Sequence, residues 1–150
     1  HFEGVLGVIK RLLKIVKAQY MFLGEKDYQQ IFLIKNFIKS KFNTKIITVK
    51  TVRDKNMLAF SSRNQLLKKK ELKIASIIAK KMKKFHASLN RNFLNKKKLY
   101  KLKNEIENLA SKIEYLEIRN KFTLSKKINK SNFKLFLAYY INGIRLIDNF

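Results

Sequence analysis

The sequence has no cysteine, no proline, two histidines, and 10 acidic residues against 35 lysines and arginines. Without cysteine, disulfides and thiolate metal sites are excluded, and a reducing, cytoplasmic setting is the expectation. His1 and His86 alone cannot build a zinc site, so no metal held by the protein's own side chains is expected. Without proline there is no proline-rich linker, and no internal repeat is visible. Also missing is any apolar run of the roughly 18 to 20 residues that cross a bilayer. The longest runs are broken by lysine, which argues against a membrane span. The start, His1-Phe2-Glu3-Gly4-Val5, carries neither an initiating methionine nor a basic segment leading into an apolar one, so it reads as the interior of a longer protein.

What is present is enough apolar material for a core: 46% of 150 residues. The net charge of +25 would draw the chain toward nucleic acid or anionic lipid. Composition supplies a plainer cause. Lysine outnumbers arginine 29 to 6, with much Asn and Ile, a pattern of AT-rich codon drift, whereas bidentate readout of bases and phosphates favours arginine. No specific nucleic-acid partner is therefore expected, and a basic nucleic-acid-binding module stands as the alternative.

Phe2, Val5, Leu6, Ile9, Leu12, Leu13 and Val16 recur at helical spacing, so residues 2–16 form an amphipathic helix. Tyr20-Met21-Phe22-Leu23, ending in Gly24, reads as a buried strand of a parallel sheet. A helix over 29–41 and a strand over 45–52 come next, which completes a βαβ unit. In open α/β sheets ligands gather at the carboxyl ends of strands, where the Gly24 and Thr51 segments both fall. From Gln65 the character changes, with Glu71 the one acidic residue between Asp54 and Glu105. Residues 72–89 and 97–116 have helical periodicity, and 114–119 and 133–146 read as strands, the latter folded at Asn142-Gly143. Asn-Gly suits the positive φ of a type I′ turn. The expected fold class is α/β: a partial Rossmann-like domain with a βαβ unit over 1–60, then a small α+β domain over 61–150.

Two segments carry chemistry. Gly24-Glu25-Lys26-Asp27-Tyr28-Gln29-Gln30 comes directly after the first strand. Glycine allows close backbone approach, lysine supplies a cation for phosphate oxygens, and Asp and Gln offer acceptors and donors. The competing account is a strand-to-helix turn in which Asp27 caps the next helix. The second segment is Ala59-Phe60-Ser61-Ser62-Arg63-Asn64. Hydroxyls, a guanidinium and free N–H groups at a helix entrance could clamp nucleotide phosphates, or the serines could simply cap that helix. Alone, neither segment names an enzyme.

Their order is more telling. His1-Phe2-Glu3-Gly4-Val5, GEKDYQQ at 24–30, Thr51-Val52-Arg53, Leu58-Ala59-Phe60-Ser61-Ser62-Arg63-Asn64 and the ending Arg145-Leu146-Ile147-Asp148-Asn149 together resemble the pantothenate synthetases, in sequence and in spacing. The resemblance runs the length of the chain and corresponds to that family's carboxy-terminal part. It implies an ATP-dependent carbon–nitrogen ligase, usually a homodimer, that condenses pantoate with β-alanine through a pantoyl adenylate, with magnesium accompanying the nucleotide. It further implies that Gly24, Glu25, Lys26 and Asp27 line the ATP site, that Gln30 holds pantoate, and that Val52 touches the adenine side. Phe60, Ser61, Ser62 and Arg63 would form the mobile phosphate-binding segment. Lys26 and Arg63 are the expected catalytic side chains, since charge builds on the leaving pyrophosphate.

The departures are specific. The family's first ATP motif, of His-x-Gly-His type, is absent from these residues, as is a pantoate-binding Gln. An inactive remnant of the ligase is therefore a further alternative. Lys50 stands where a proline is usual, and Asn56-Met57 where Asp-Gly is usual. Lys68-Lys69-Lys70 replaces a Ser/Thr-led helix start, with the expected loss of a cap of about 1 kcal/mol. A His at position 1 is typical of the family and could lie near the reacting groups. His86 is read as packing or surface.

Overall fold

The computed structural model describes residues 2–91 and 96–150, with backbone alone at 90, 91 and 96; the reading of His1 lies outside the described residues. The chain divides into two compact units, 1–51 and 52–150. The segment 52–60, grouped by sequence character with the residues before it, packs instead with those after it.

The first unit holds α1 (Phe2–Val16), β1 (Tyr20–Gly24), α2 (Tyr28–Ile38) and β2 (Lys45–Val49). The strands pair in parallel from Tyr20↔Lys45 to Gly24↔Val49, with α2 as the crossover, so the βαβ unit forms as expected. The second strand is shorter than its apolar pattern suggests. Its last partner, Gly24, is where β1 winds into the turn at Glu25–Asp27, so the ladder has nothing further to pair with. Leu13, Ile34 and Ile38 form the buried centre of this unit, with Val5, Leu6, Ile9, Met21, Leu23 and Ile46 packed against them. Residues of both helices and of one sheet face therefore share a single cluster. The strands are consequently not buried on both sides, contrary to the expectation for β1. Tyr20, Phe22, Ile47 and Val49, on the opposite face, are exposed.

The second unit holds α3 (Lys69–Arg91), α4 (Lys96–Glu107), β3 (Lys112–Asn120), β4 (Phe133–Ile141) and β5 (Ile144–Asn149), the strands forming an antiparallel sheet in the order β3-β4-β5. Its larger core includes Ile78, Met82, Leu89, Ile106, Leu135 and Leu137. Asn142 and Gly143 both have positive φ, 48° and 78°, as the two-residue turn between β4 and β5 demands. Helical periodicity over 97–116 overreaches. The helix ends at Glu107, and Ser111 N–H already donates to the Tyr140 carbonyl at 2.8 Å. Pairing with β4 takes 112–120 into the sheet.

The lysine run does not leave the start of α3 bare. Glu71 Oε2 accepts from the Lys68 backbone N–H at 2.7 Å, half of a capping box, while its Oε1 accepts from Asn142 Nδ2 at 3.1 Å. One carboxylate thus ties a helix start to the hairpin turn. His86 sets its ring 5.2 Å from that of Phe133, and burial, with Lys134 nearby, holds its pKa below the ordinary value. It packs as a neutral ring, in line with the sequence reading.

Candidate functional site

The first segment is built by the end of β1. Gly24 is extended, with φ −74° and ψ 129°, and an added Cβ there would meet no atom within 4 Å. Neither backbone conformation nor packing among the described residues calls for glycine. Glu25–Asp27 form one 3₁₀ turn leading into α2. Asp27 stands at the N-cap position but makes no side-chain capping bond, which overturns the plainer account of this residue. Its carboxylate is left exposed. Lys26 and Gln30 are half-buried on the same turn and the first turn of α2. Burial, and then the charge of Glu25, raise the Tyr28 pKa, so the phenol beside this turn stays neutral.

The second segment is built around Arg53. Arg53 and Ala59 form an antiparallel bridge, and Phe60 N–H donates to the Val52 carbonyl at 3.1 Å, closing a tight loop over 54–58. Asp54 organises its tip: Oδ1 accepts from the N–H groups of Asn56 at 2.8 Å and Leu58 at 2.9 Å. Met57 carries φ 73°, a left-handed conformation that suits the glycine usual there. The loop therefore folds despite the substitution, at a backbone cost. Met57→Gly is expected to raise the unfolding free energy by about 1 kcal/mol, since relief of the left-handed strain outweighs glycine's looser unfolded state. A urea titration checks this; an unchanged or lower midpoint refutes it.

Beyond the loop, Val52 and Phe60 are exposed apolar side chains. Ser61 Oγ accepts from Arg63 N–H at 3.3 Å, and Asn64 Nδ2 donates to the Ala59 carbonyl at 3.0 Å. The capping account holds for Ser61, while Ser62 and Arg63 project into solvent. Sequence reading missed the anchor of the whole segment. The Arg53 guanidinium grips Asp148 with two bonds, of 2.8 and 2.7 Å, and lies 4.0 Å over the ring of Phe150. Arg53 and Asp148 both appear in the family-like stretches, but 95 positions separate them and nothing in either stretch signals the pairing.

Gly24, Glu25, Lys26, Asp27 and Gln30 are thus gathered on one turn, and Val52, Phe60, Ser61, Ser62 and Arg63 along one loop, each in its own compact unit. A cavity of about 600 Å³ opens at the opposite, amino ends of β1 and β2, beside Lys17, Gln19 and Thr44. It is not where an α/β sheet presents ligands. Among the described residues no three acidic or histidine side chains cluster to hold a metal, and no helix is long and apolar enough to cross a membrane.

A parallel βαβ unit with a cation and a free carboxylate at the end of its first strand, followed by a serine-serine-arginine helix entrance, has the parts of a phosphate-handling α/β protein. Comparison with known proteins makes this particular. The family model for pantoate-beta-alanine ligase matches residues 1–150, and the chain belongs to that family of ATP-dependent ligases. The pantothenate synthetase of Francisella tularensis subsp. mediasiatica is 40% identical over 151 residues, which are 100% of this chain and 50% of that protein. Among solved structures, a pantothenate synthetase from Thermus thermophilus superposes with a TM-score of 0.88 at 28% identity, over 100% of this chain and 55% of that one. The Francisella tularensis ligase, solved with beta-gamma ATP and beta-alanine, gives 0.75 at 38% identity, over 100% and 50%. The chain spans about half the length of the curated relatives it matches and corresponds to their carboxy-terminal part.

Proposed function

We propose that this chain supplies the phosphate-handling half of a pantothenate synthetase, which joins pantoate to β-alanine at the expense of ATP. The observation that carries the reading is the pairing of two segments at family spacing, each with exposed groups that its own fold leaves unused: the Asp27 carboxylate on one, Ser62 and Arg63 on the other. Open space at Gly24, where neither backbone nor packing requires glycine, adds support. A nucleotide could come against the backbone there.

In the proposed reaction the pantoate carboxylate attacks the α-phosphorus of ATP and pyrophosphate leaves. The β-alanine amine then attacks the acyl carbon and AMP leaves, giving pantothenate. By the family reading, Lys26 and Arg63 are each assigned to the first step as cations that meet the negative charge developing on phosphate oxygens. In the second unit Ser61 and Ser62 offer N–H and hydroxyl donors for phosphates and Phe60 and Val52 an apolar surface for the nucleotide, while in the first Gln30 is assigned to pantoate. Magnesium accompanying the nucleotide would be held through the substrate phosphates, with no residue of this chain assigned to it. When bound it neutralises phosphate charge. The proposal divides the chain functionally into a Rossmann-like remnant over 1–60 and a carboxy-terminal domain over 61–150, and extends to a cytoplasmic homodimer.

Calorimetric titration with a non-hydrolysable ATP analogue tests the assignment. Lys26→Ala and Arg63→Ala are each expected to weaken binding roughly tenfold or more, the worth of a charge-assisted hydrogen bond. Unchanged affinity in both variants would remove these residues from the site.

A further inference from the structure

Within the second unit a cleft of about 340 Å³ lies between α3 and α4. Its walls follow one spacing on both helices. From α3 come Lys81, Lys84, Phe85 and Ser88, and from α4 Lys98, Lys101, Leu102 and Glu105, each set at the i, i+3, i+4 and i+7 positions that share a helix face. Phe85 and Leu102 are buried, so the base of the cleft is apolar, while Lys84, Lys98 and Lys101 are exposed at its rim. Among the described lining residues four lysines thus meet one carboxylate, Glu105. Lys81 Nζ donates to Glu105 Oε2 at 2.5 Å. That bond is the main reason the Glu105 pKa lies below its ordinary value, and the charges of Lys101 and Lys84 lower it further, so both ammonium groups stand close to the same carboxylate.

Like charges three residues apart are neighbours on a helix and repel, and a helix face turned toward the protein is ordinarily apolar, so stability does not account for this arrangement. Codon drift accounts for many lysines, but not for their convergence at matching positions of two helices. We infer that the cleft between α3 and α4 is a binding site for a small polyphosphate anion, whose oxygens are met by Lys84, Lys98 and Lys101 from two sides. Its volume falls at the lower end of small-molecule sites, which run from roughly 300 to 1,000 Å³. Ammonium groups act on phosphate as mobile point charges, so no fixed fork is required. A nucleic-acid strand is the poorer fit, because single strands stack their bases on accessible rings and Phe85, the aromatic side chain in the lining, is 9% exposed. The inference does not rest on the ligase reading, whose residues lie at 24–30 and 52–63.

Calorimetric titration of this chain with inorganic tripolyphosphate at near-physiological salt is the test. Lys84→Ala combined with Lys101→Ala should weaken binding roughly tenfold or more. Lys126→Ala combined with Lys130→Ala removes the same charge from exposed positions outside the cleft and should leave the affinity nearly unchanged. Glu105→Gln takes away the competing carboxylate, releases Lys81, and should tighten binding severalfold. Equal weakening by the two lysine pairs would reduce the effect to net charge and overturn the inference, as would absence of binding or a Glu105→Gln variant that binds less. Lys26→Ala combined with Arg63→Ala should leave tripolyphosphate bound; loss of binding there would move the anion to the nucleotide segments and overturn the inference as well. Polyuridylate that binds through Lys84 and Lys101 when tripolyphosphate does not would assign the cleft to nucleic acid, again overturning it.

Discussion

Arg53→Ala is expected to cost about 3 to 5 kcal/mol of stability in the second unit, because it breaks one side of a nearly buried ion pair and leaves the other behind. The side chains of Arg53 and Asp148 are 14% and 8% exposed. The guanidinium also donates to the carbonyls of Met57 and Asn149, each at 3.0 Å, so its loss strands two backbone acceptors together with the carboxylate. Arg53→Lys should recover little, since an ammonium cannot reproduce the planar fork. Replacing both partners, Arg53→Met with Asp148→Leu, should recover most of the loss, because the penalty lies in the orphaned charge and not in the absent pair. Urea unfolding of the three variants checks the order. A single Arg53→Ala indistinguishable from the parent would show that the pair contributes nothing. The variant also bears on function, since the Arg53 side chain ties the loop that leads to Ser61 through Arg63 to Asp148 and to the Met57 carbonyl.

Ile34→Ala should unfold the first unit while leaving the second folded. Its buried centre is Leu13, Ile34 and Ile38, and Ile34 is fully buried. Truncating a buried isoleucine to alanine costs roughly 2 to 5 kcal/mol, much of what so small a core can supply. The second unit draws on a separate and larger cluster, so the two should fail independently. Hydrogen exchange read by mass spectrometry distinguishes the outcomes. Amides of α1, β1, α2 and β2 should lose protection, whereas those of β3, β4 and β5 should keep theirs. Uniform loss across both units would show that they unfold as one.

Much of this architecture was legible in the residues. The spacing of Val5, Leu6, Ile9 and Leu13 selects the inward face of α1, and Asn142-Gly143 announces the turn between β4 and β5. Apolar runs around a helical stretch were enough to identify the parallel pair. What escaped was decided by distant partners. Residues 114–116 fall under both the helical reading of 97–116 and the strand reading of 114–119, and pairing with β4 decides between them. Asp27 sits where a capping residue belongs, yet its backbone, with φ −96° and ψ 50°, comes with no capping bond. The candidate site was legible as two segments, to which resemblance assigns roles. The support beneath the second, from Asp54 and from Arg53 reaching Asp148, depends on geometry that no short motif encodes.

The grip of Arg53 on Asp148 also bears on the order of events during synthesis. Domains generally fold from the amino terminus as the chain emerges, but Val52 to Phe60 lead the second unit and need a partner made almost a hundred residues later. Until Asp148 has left the ribosome, the guanidinium lacks that carboxylate, and the loop that leads to Ser62 and Arg63 is held by its own short-range bonds, such as those of Asp54, Phe60 and Asn64. The first unit, whose strand pairing reaches only from Tyr20 to Lys45, has a much shorter wait. A nascent chain would therefore complete its β1 turn early and its serine-arginine segment last.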